Sequence, residues 1–266
     1  FDDHRLIEKT GINKVYLEQG KTSDLVLRAA NKVLKGFDRE KIDVCILITQ
    51  TPDDLLPANS IGITSSLNLR HDVIAFDINQ GCSGYAQALC IVNSMLCKYD
   101  SILLLTGDRY RSKLRKDDRA TNSVFSDAST ASIWTSRSSL ALLFEKHITD
   151  GSKRDWLYQS NSSKNDNCFL HMSGAEVWMF TRKKVVPEII NAIDFCEKHN
   201  FEINHIYLHQ ASKVVVDGIV KLLPSNFSNL IPKNYNLYGN TVSSSIPILI
   251  TENPIKQNQG KVNIIC

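Results

Sequence analysis

Three short aliphatic runs mark the first half of the chain: Val44–Thr49, Val73–Ile78 and Ile102–Thr106. Each has the length of a strand and is apolar at nearly every position, the pattern of a parallel strand covered on both faces. Between them apolar residues recur at helical spacing, over Asp24–Leu34, opened by a Thr22/Ser23 capping signal, and over Tyr85–Lys98, which follows Gly84. Strands that alternate with helices predict βαβ crossovers and a parallel sheet.

The same order returns at a shift of about 160 positions. REKIDVCILITQTPD around Cys45 is answered by NFEINHIYLHQASK around Tyr207. The helical pattern near Ala30 is answered by Val186–Lys198, and ILLLTG by KVNIIC. Duplicated βαβ units predict an α/β protein of two similar halves, residues 1–138 and 139–266, divided near Ser136–Ser139. Their shared site should form where the carboxyl ends of parallel strands converge. The second copy breaks off at Cys266 directly after a strand, so the repeat is expected to run on past that residue.

Composition narrows the class. A chain of 266 residues, 42% apolar and 22% charged, has the balance of a soluble globular protein. No apolar run approaches the roughly 20 residues of a membrane helix, so no membrane association is expected. A net charge of +3, with Lys and Arg scattered except for clusters such as Arg109–Arg119, does not announce nucleic-acid binding; an acidic partner would dock locally. Seven cysteines without a C-x-x-C pair predict neither a zinc site nor a redox motif and fit a reducing, cytoplasmic setting.

Cys82 lies in DINQGCSGYAQAL, where a buried strand gives way to a helix. There a sulfur meets unpaired backbone N–H groups and the positive end of the helix dipole, both of which favour thiolate. A lone cysteine is more often a small buried hydrophobe, but Gly81 and Gly84 on either side mark a special turn. Cys90 and Cys97 share one helix face and read as core. His209 ends the strand of HIYLHQAS, and Asn240 sits in NLYGNTVSSS, the second-half counterpart of the Cys82 turn. Singly, a strand-end histidine or a turn asparagine is more often structural. Together they put Cys, His and Asn at the strand ends of two duplicated halves.

DINQGCSGY, FSDASTASIW, HQAS and YGNTVSSSIP occur in the order and spacing of the β-ketoacyl-acyl-carrier-protein synthase III family of the thiolase superfamily, and KTGINKVYL and HMSGAEVWMF extend the resemblance from end to end. The resemblance implies a five-layered αβαβα fold and a homodimer formed through Val73–Ile78. It implies a 3-oxoacyl-ACP synthase III-like acyltransferase of fatty acid biosynthesis, with coenzyme A or phosphopantetheine thioesters as substrates and no cofactor or metal. In that reading Cys82 takes an acyl group from acyl-CoA or acyl-ACP and passes it to the carbanion of decarboxylating malonyl-ACP. His209 and Asn240 bind the extender thioester oxygen.

The departures concern the entrance. Arg119 matches the family's adenine-stacking arginine, but Arg5 stands where its partner tryptophan is expected. Arg5 and Lys9 would then meet carrier phosphates, and Lys213 would take the place of the arginine that docks the acidic acyl carrier protein. In FSDASTA, Ser126 and Ser129 replace glycines. Two alternatives keep the same fold: acyl transfer to an alcohol or amine, and a non-catalytic subunit of a heterodimer.

Overall fold

The computed structural model describes residues 4–137, 141–160, 168–255 and 261–266. Helices α1 (His4–Thr10) and α2 (Thr22–Val33) open the chain. The alternation β1 (Val44–Ile48), α3 (Asn59–Ser66), β2 (Ile74–Ile78), α4 (Gly84–Met95), β3 (Ser101–Asp108) follows, and α5 (Arg119–Asn122) and β4 (Ala128–Thr135) close the first half. The sheet runs β2-β1-β3-β4, with β1 parallel to both β2 and β3 and with β4 antiparallel to β3. Every residue of β1 and β3 is buried, as their unbroken apolar runs require.

Two polar residues of this half work as helix caps. Asp77, on β2, accepts from the backbone N–H of Asn59 and Ser60 at the start of α3. Asp53, just beyond β1, accepts from those of Thr22 and Ser23. The capping signal at Thr22/Ser23 is therefore displaced: α2 begins at Thr22, its free N–H groups are satisfied from another loop, and the Thr22 hydroxyl donates to the Thr51 carbonyl.

The second half holds a short antiparallel pair, β5 (Leu157–Tyr158) and β6 (His171–Met172), then α6 (Gly174–Phe180), which continues through a single π turn at Thr181–Val185 into α7 (Val186–Lys198). After these come β7 (Glu202–Tyr207), α8 (Lys213–Val220), α9 (Tyr235–Tyr238), α10 (Ser245–Glu252) and β8 (Lys261–Ile265), with β7 parallel to β8.

Side-chain alternation stacks these elements in five layers. Cys45, Leu47, Leu103 and Leu105 face Val26 and Ala30 of α2 and Ile63 of α3. Val44, Ile46, Ile48, Ile102 and Leu104 face the other way, onto Ala88 and Val92 of α4, Ile246 and Leu249 of α10, and Tyr207 of β7. The far side of the second sheet, Ile206 and Ile264, packs on Ile189 and Ile193 of α7 and Val216 and Ile219 of α8. This is the αβαβα order that the family resemblance implied. The apolar stripe of α4 is Tyr85, Ala88 and Val92, so Cys90 and Cys97 are not core: Cys90 is half-buried and Cys97 exposed. Strand β4 ends the first sheet at Thr135; the division expected at 138/139 lies outside the described residues. Among the described residues no helix is long and apolar enough to cross a membrane.

Candidate active site

Between the end of β2 and the start of α4 the backbone runs against β1. A Cβ on Gly81 would lie 2.3 Å from Oε1 of Gln50, and one on Gly84 would lie 2.6 Å from Cγ2 of Ile48. A side chain at Gly84 would strike Ile48, one at Gly81 would have to displace the Gln50 amide, and Cys82 is held between them. It packs beside an apolar group made of Tyr110, Leu114, Phe125, Leu170 and Val242.

That burial pushes the Cys82 thiol up to about 12. Neighbouring Asp108 adds to the rise, while the residue's own backbone N–H and the Asn240 side chain oppose it. The expected thiolate is thus corrected to a thiol. A helix terminus contributes about 0.3–1 kcal/mol, less than the ~1.4 kcal/mol of a single pKa unit, and burial shifts a group by several units.

From the second half, His209 follows β7, its backbone N–H donating to the Cys266 carbonyl at 2.8 Å. Both ring nitrogens are buried without a hydrogen-bond partner among the described residues. Burial brings the imidazole down to about 4, and the nearby Asn240 side chain opposes that shift without completing a hydrogen bond to either nitrogen. At neutral pH the ring is uncharged and carries one N–H.

Asn240 is fixed through its own backbone. Its N–H donates to Val124 at 2.8 Å, its carbonyl accepts from Ser126 at 2.9 Å, and Gly239 before it takes a φ of 68°. Its Oδ1 accepts from the Val242 N–H at 3.0 Å, and the side chain lies beside Cys82 and His209. The structure thus brings together the three residues that the sequence placed at strand ends of different halves.

Asp108 was not singled out from the sequence. It closes β3 with no exposed surface. One oxygen accepts from Gln50 N–H at 2.8 Å and the other from both the N–H and the hydroxyl of Ser243. Ser244 bonds Thr106 at 2.7 Å in parallel. These links fasten the turn after Asn240 to the strand ends of the first half. They hold Val242 at a φ of 51°, an unfavourable conformation for a β-branched residue. Burial raises the Asp108 carboxyl to about 7. An aspartate closing a buried strand was the available signal, but the run was read as ending at Thr106.

The entrance residues divide. Arg5 and Lys9 lie exposed on α1, which packs against α8, the helix that Lys213 opens. At Gly11 a Cβ would come within 2.6 Å of the Lys213 Cβ. Arg119 opens a different element, α5, behind the Asp118 side chain that caps it. Ser126 and Ser129 keep ordinary backbone angles. Ser126 Oγ accepts from Tyr16 N–H at 2.7 Å and Ser129 Oγ donates to the Leu25 carbonyl at 2.8 Å, so both hydroxyls tie β4 and its approach to the rest of the first half.

Residues 76–151 match the family described as 3-oxoacyl-[acyl-carrier-protein (ACP)] synthase III. The chain is 30% identical to the β-ketoacyl-[acyl-carrier-protein] synthase III of Acholeplasma laidlawii, across 98% of this chain and 83% of that one. It is 29% identical to the protein of the same name from Streptococcus mutans, across 94% and 81%. The solved 3-oxoacyl-(acyl-carrier protein) synthase of Burkholderia xenovorans superposes with a TM-score of 0.82 at 27% identity, covering 96% of this chain and 79% of that one. The synthase III of Pseudomonas aeruginosa shares the fold, with a TM-score of 0.85 at 24% identity over 100% and 86%. With likeness in sequence and in fold running along nearly its whole length, this chain belongs to the β-ketoacyl-acyl-carrier-protein synthase III family of the thiolase superfamily.

Proposed function

We propose that the protein is a condensing acyltransferase that loads an acyl group on Cys82 and extends it by decarboxylative condensation with malonyl-ACP. The observation that carries this reading is the meeting of Cys82, from the first half, with His209 and Asn240, from the second, the Asn240 side chain lying beside both the thiol and the ring. In the first step the Cys82 sulfur displaces the thiol of acyl-CoA or acyl-ACP. The cysteine proton leaves on the departing thiol, so the exchange keeps the energy of the thioester and needs no stored thiolate.

In the second step loss of carbon dioxide from the malonyl thioester leaves an enolate whose oxygen needs positive potential. The N–H of a neutral His209 and the amide of Asn240 supply it, each donor being worth roughly 2.7–4 kcal/mol in a buried site. The enolate carbon attacks the acyl carbonyl, and the Cys82 sulfur leaves as thiolate and takes up a proton from solvent. A thiol with a pKa of about 12 is readily reprotonated. His209, at about 4, is a weak base, better suited to donating than to stripping an alcohol or amine acceptor.

The apolar group beside Cys82 would receive the acyl chain. Arg119 would stack on the adenine of coenzyme A, Arg5 and Lys9 would meet the phosphates of coenzyme A or phosphopantetheine, and Lys213 would attract the acidic carrier protein. Residues 1–138 would supply the nucleophile and 139–266 the donors. The working form would be a cytoplasmic homodimer joined along the edge strand β2, where Ile74 is 38% exposed. Incubation with an acyl-CoA and malonyl-ACP, followed by mass analysis of the carrier, should give 3-oxoacyl-ACP with release of carbon dioxide. Acylated enzyme that instead delivers its acyl group to hydroxyl or amine acceptors, with malonyl-ACP left intact, would overturn the condensing assignment.

A further inference from the structure

Apart from the active site, three donors of different chemistry meet on one face of the helix that follows the nucleophile. The Cys90 sulfur, a Glu145 carboxylate oxygen and a His147 ring nitrogen lie within 4.8 Å of one another, a grouping that occurs once among the described residues. They belong to two separate stretches of chain. Cys90 is on α4, whereas Glu145 and His147 stand two apart in the irregular segment before the turn at 151–156.

Phe144 packs on Phe195 of α7 with ring centroids 5.2 Å apart, while Glu145 and His147 lie beside Cys90 of α4. There they meet Cys90, which lies off the core stripe of its helix. The segment is thus seated between two helices, by an aromatic contact on one side and by a polar cluster on the other.

A thiolate, an imidazole and a carboxylate are donors that suit Zn²⁺, and three protein ligands leave a fourth tetrahedral position for water. We propose that Cys90, Glu145 and His147 form a site for Zn²⁺ or a similar divalent cation, which clips the segment around residues 145–147 to helix α4. Binding replaces the Cys90 S–H proton by a metal–sulfur bond, the proton passes to solvent, and no electron is transferred. Burial and the adjoining Glu145 push the Cys90 thiol up to about 11, a cost that a bound cation offsets. Glu145 and His147 are exposed, so an ion has a direct route in. The proposal is independent of the condensing chemistry at Cys82.

The test uses the full chain with the exposed thiols removed as Cys97→Ala and Cys168→Ala, titrated with Co²⁺ as a spectroscopic stand-in. One equivalent should produce a thiolate-to-cobalt charge-transfer band and tetrahedral d–d absorption, both displaced by Zn²⁺. Cys90→Ser should abolish the charge-transfer band, and Glu145→Gln and His147→Ala should each weaken binding by roughly tenfold or more. Apparent affinity should rise with pH, because the thiol proton must leave. His147→Ala alters an exposed residue outside the core and keeps the test decisive if Cys90→Ser fails to fold. Absence of the band, its persistence in Cys90→Ser, or unchanged affinity in His147→Ala would overturn the site.

Discussion

Different physics holds the two reactive turns, one carrying Cys82 and the other Asn240. The Cys82 turn is held by contact: β2 leads into it, and its glycines bring the backbone so near to β1 that a single Cβ would collide with Gln50 or Ile48. No described strand leads into the Asn240 turn, which touches a neighbouring segment through one isolated bridge, Phe125 to Asn240. It is held by hydrogen bonds to the first half, from Asn240 to Val124 and Ser126, from Ser243 to Asp108 and from Ser244 to Thr106. The turn that carries the nucleophile is therefore set by close packing on its own half, and the turn that carries Asn240 by polar links across halves. Steric change should injure acyl loading first, and loss of a polar partner should injure condensation first.

The largest effect expected from this contrast is at the donors. Asn240→Ala or His209→Ala should lower condensation by about 10²–10³, the usual consequence of removing one oxyanion donor, and acylation of Cys82 should survive. Rapid-quench measurement of the two half-reactions separates them. Equal loss in both steps would show that the Asn240 turn also shapes the nucleophile.

Asp108→Asn comes next. An amide offers one acceptor oxygen where Gln50 and Ser243 send three donors, and a buried unsatisfied group costs about 1–3 kcal/mol, readable in denaturant unfolding. Condensation should fall more than loading. Acid titration sharpens the point. Asp108 sits at about 7 against an ordinary 3.8, so its stabilisation is complete below the ordinary value and is lost as pH rises through 7. His209, at about 4 against 6.5, has the opposite sign: its contribution is present above 6.5 and is lost as pH falls through 4. Between those values the two slopes oppose each other. Asp108→Asn should therefore lose stability on acidification more steeply than the parent, and His209→Ala less steeply.

The complementary substitution is Gly84→Ala, which places a methyl group 2.6 Å from Ile48 Cγ2. Overpacking of this kind costs about 1–3 kcal/mol, and here loading should suffer more than condensation by enzyme that has already been acylated. The smallest effect is expected from Ser126→Gly. It removes the bond from Tyr16 N–H to the serine hydroxyl, about 0.5–1.5 kcal/mol of stability, and leaves the Ser126 N–H bond to Asn240 in place.

Fold and site were legible where local pattern decides. Unbroken apolar runs place β1 and β3, and a run broken only by Asp77 places β2, to within a residue or two, and the helical pattern of Val186–Lys198 matches α7 at both ends. Strand β4 was not read, because Ala128–Thr135 is a half-buried run of mostly small and polar residues whose extended form comes from antiparallel pairing with β3. Cys82, His209 and Asn240 stood out through the repeat and the family's motifs. The protonated state of Cys82 did not, because its cause is burial by Tyr110, Phe125 and Leu170, residues distant in the chain. Asp108 and the Cys90 cluster share that difficulty: each takes its meaning from groups that only folding brings together.

Intact-protein mass spectrometry on the parent chain, Cys82→Ala and Asn240→Ala, before and after addition of malonyl-ACP, tests the division of labour most directly. The parent should gain one acyl mass from an acyl thioester donor and lose it to malonyl-ACP. Asn240→Ala should gain the same mass and keep it, and Cys82→Ala should gain none. Acyl mass on the Cys82→Ala chain, or discharge of acylated Asn240→Ala at the parent's rate, would contradict the account.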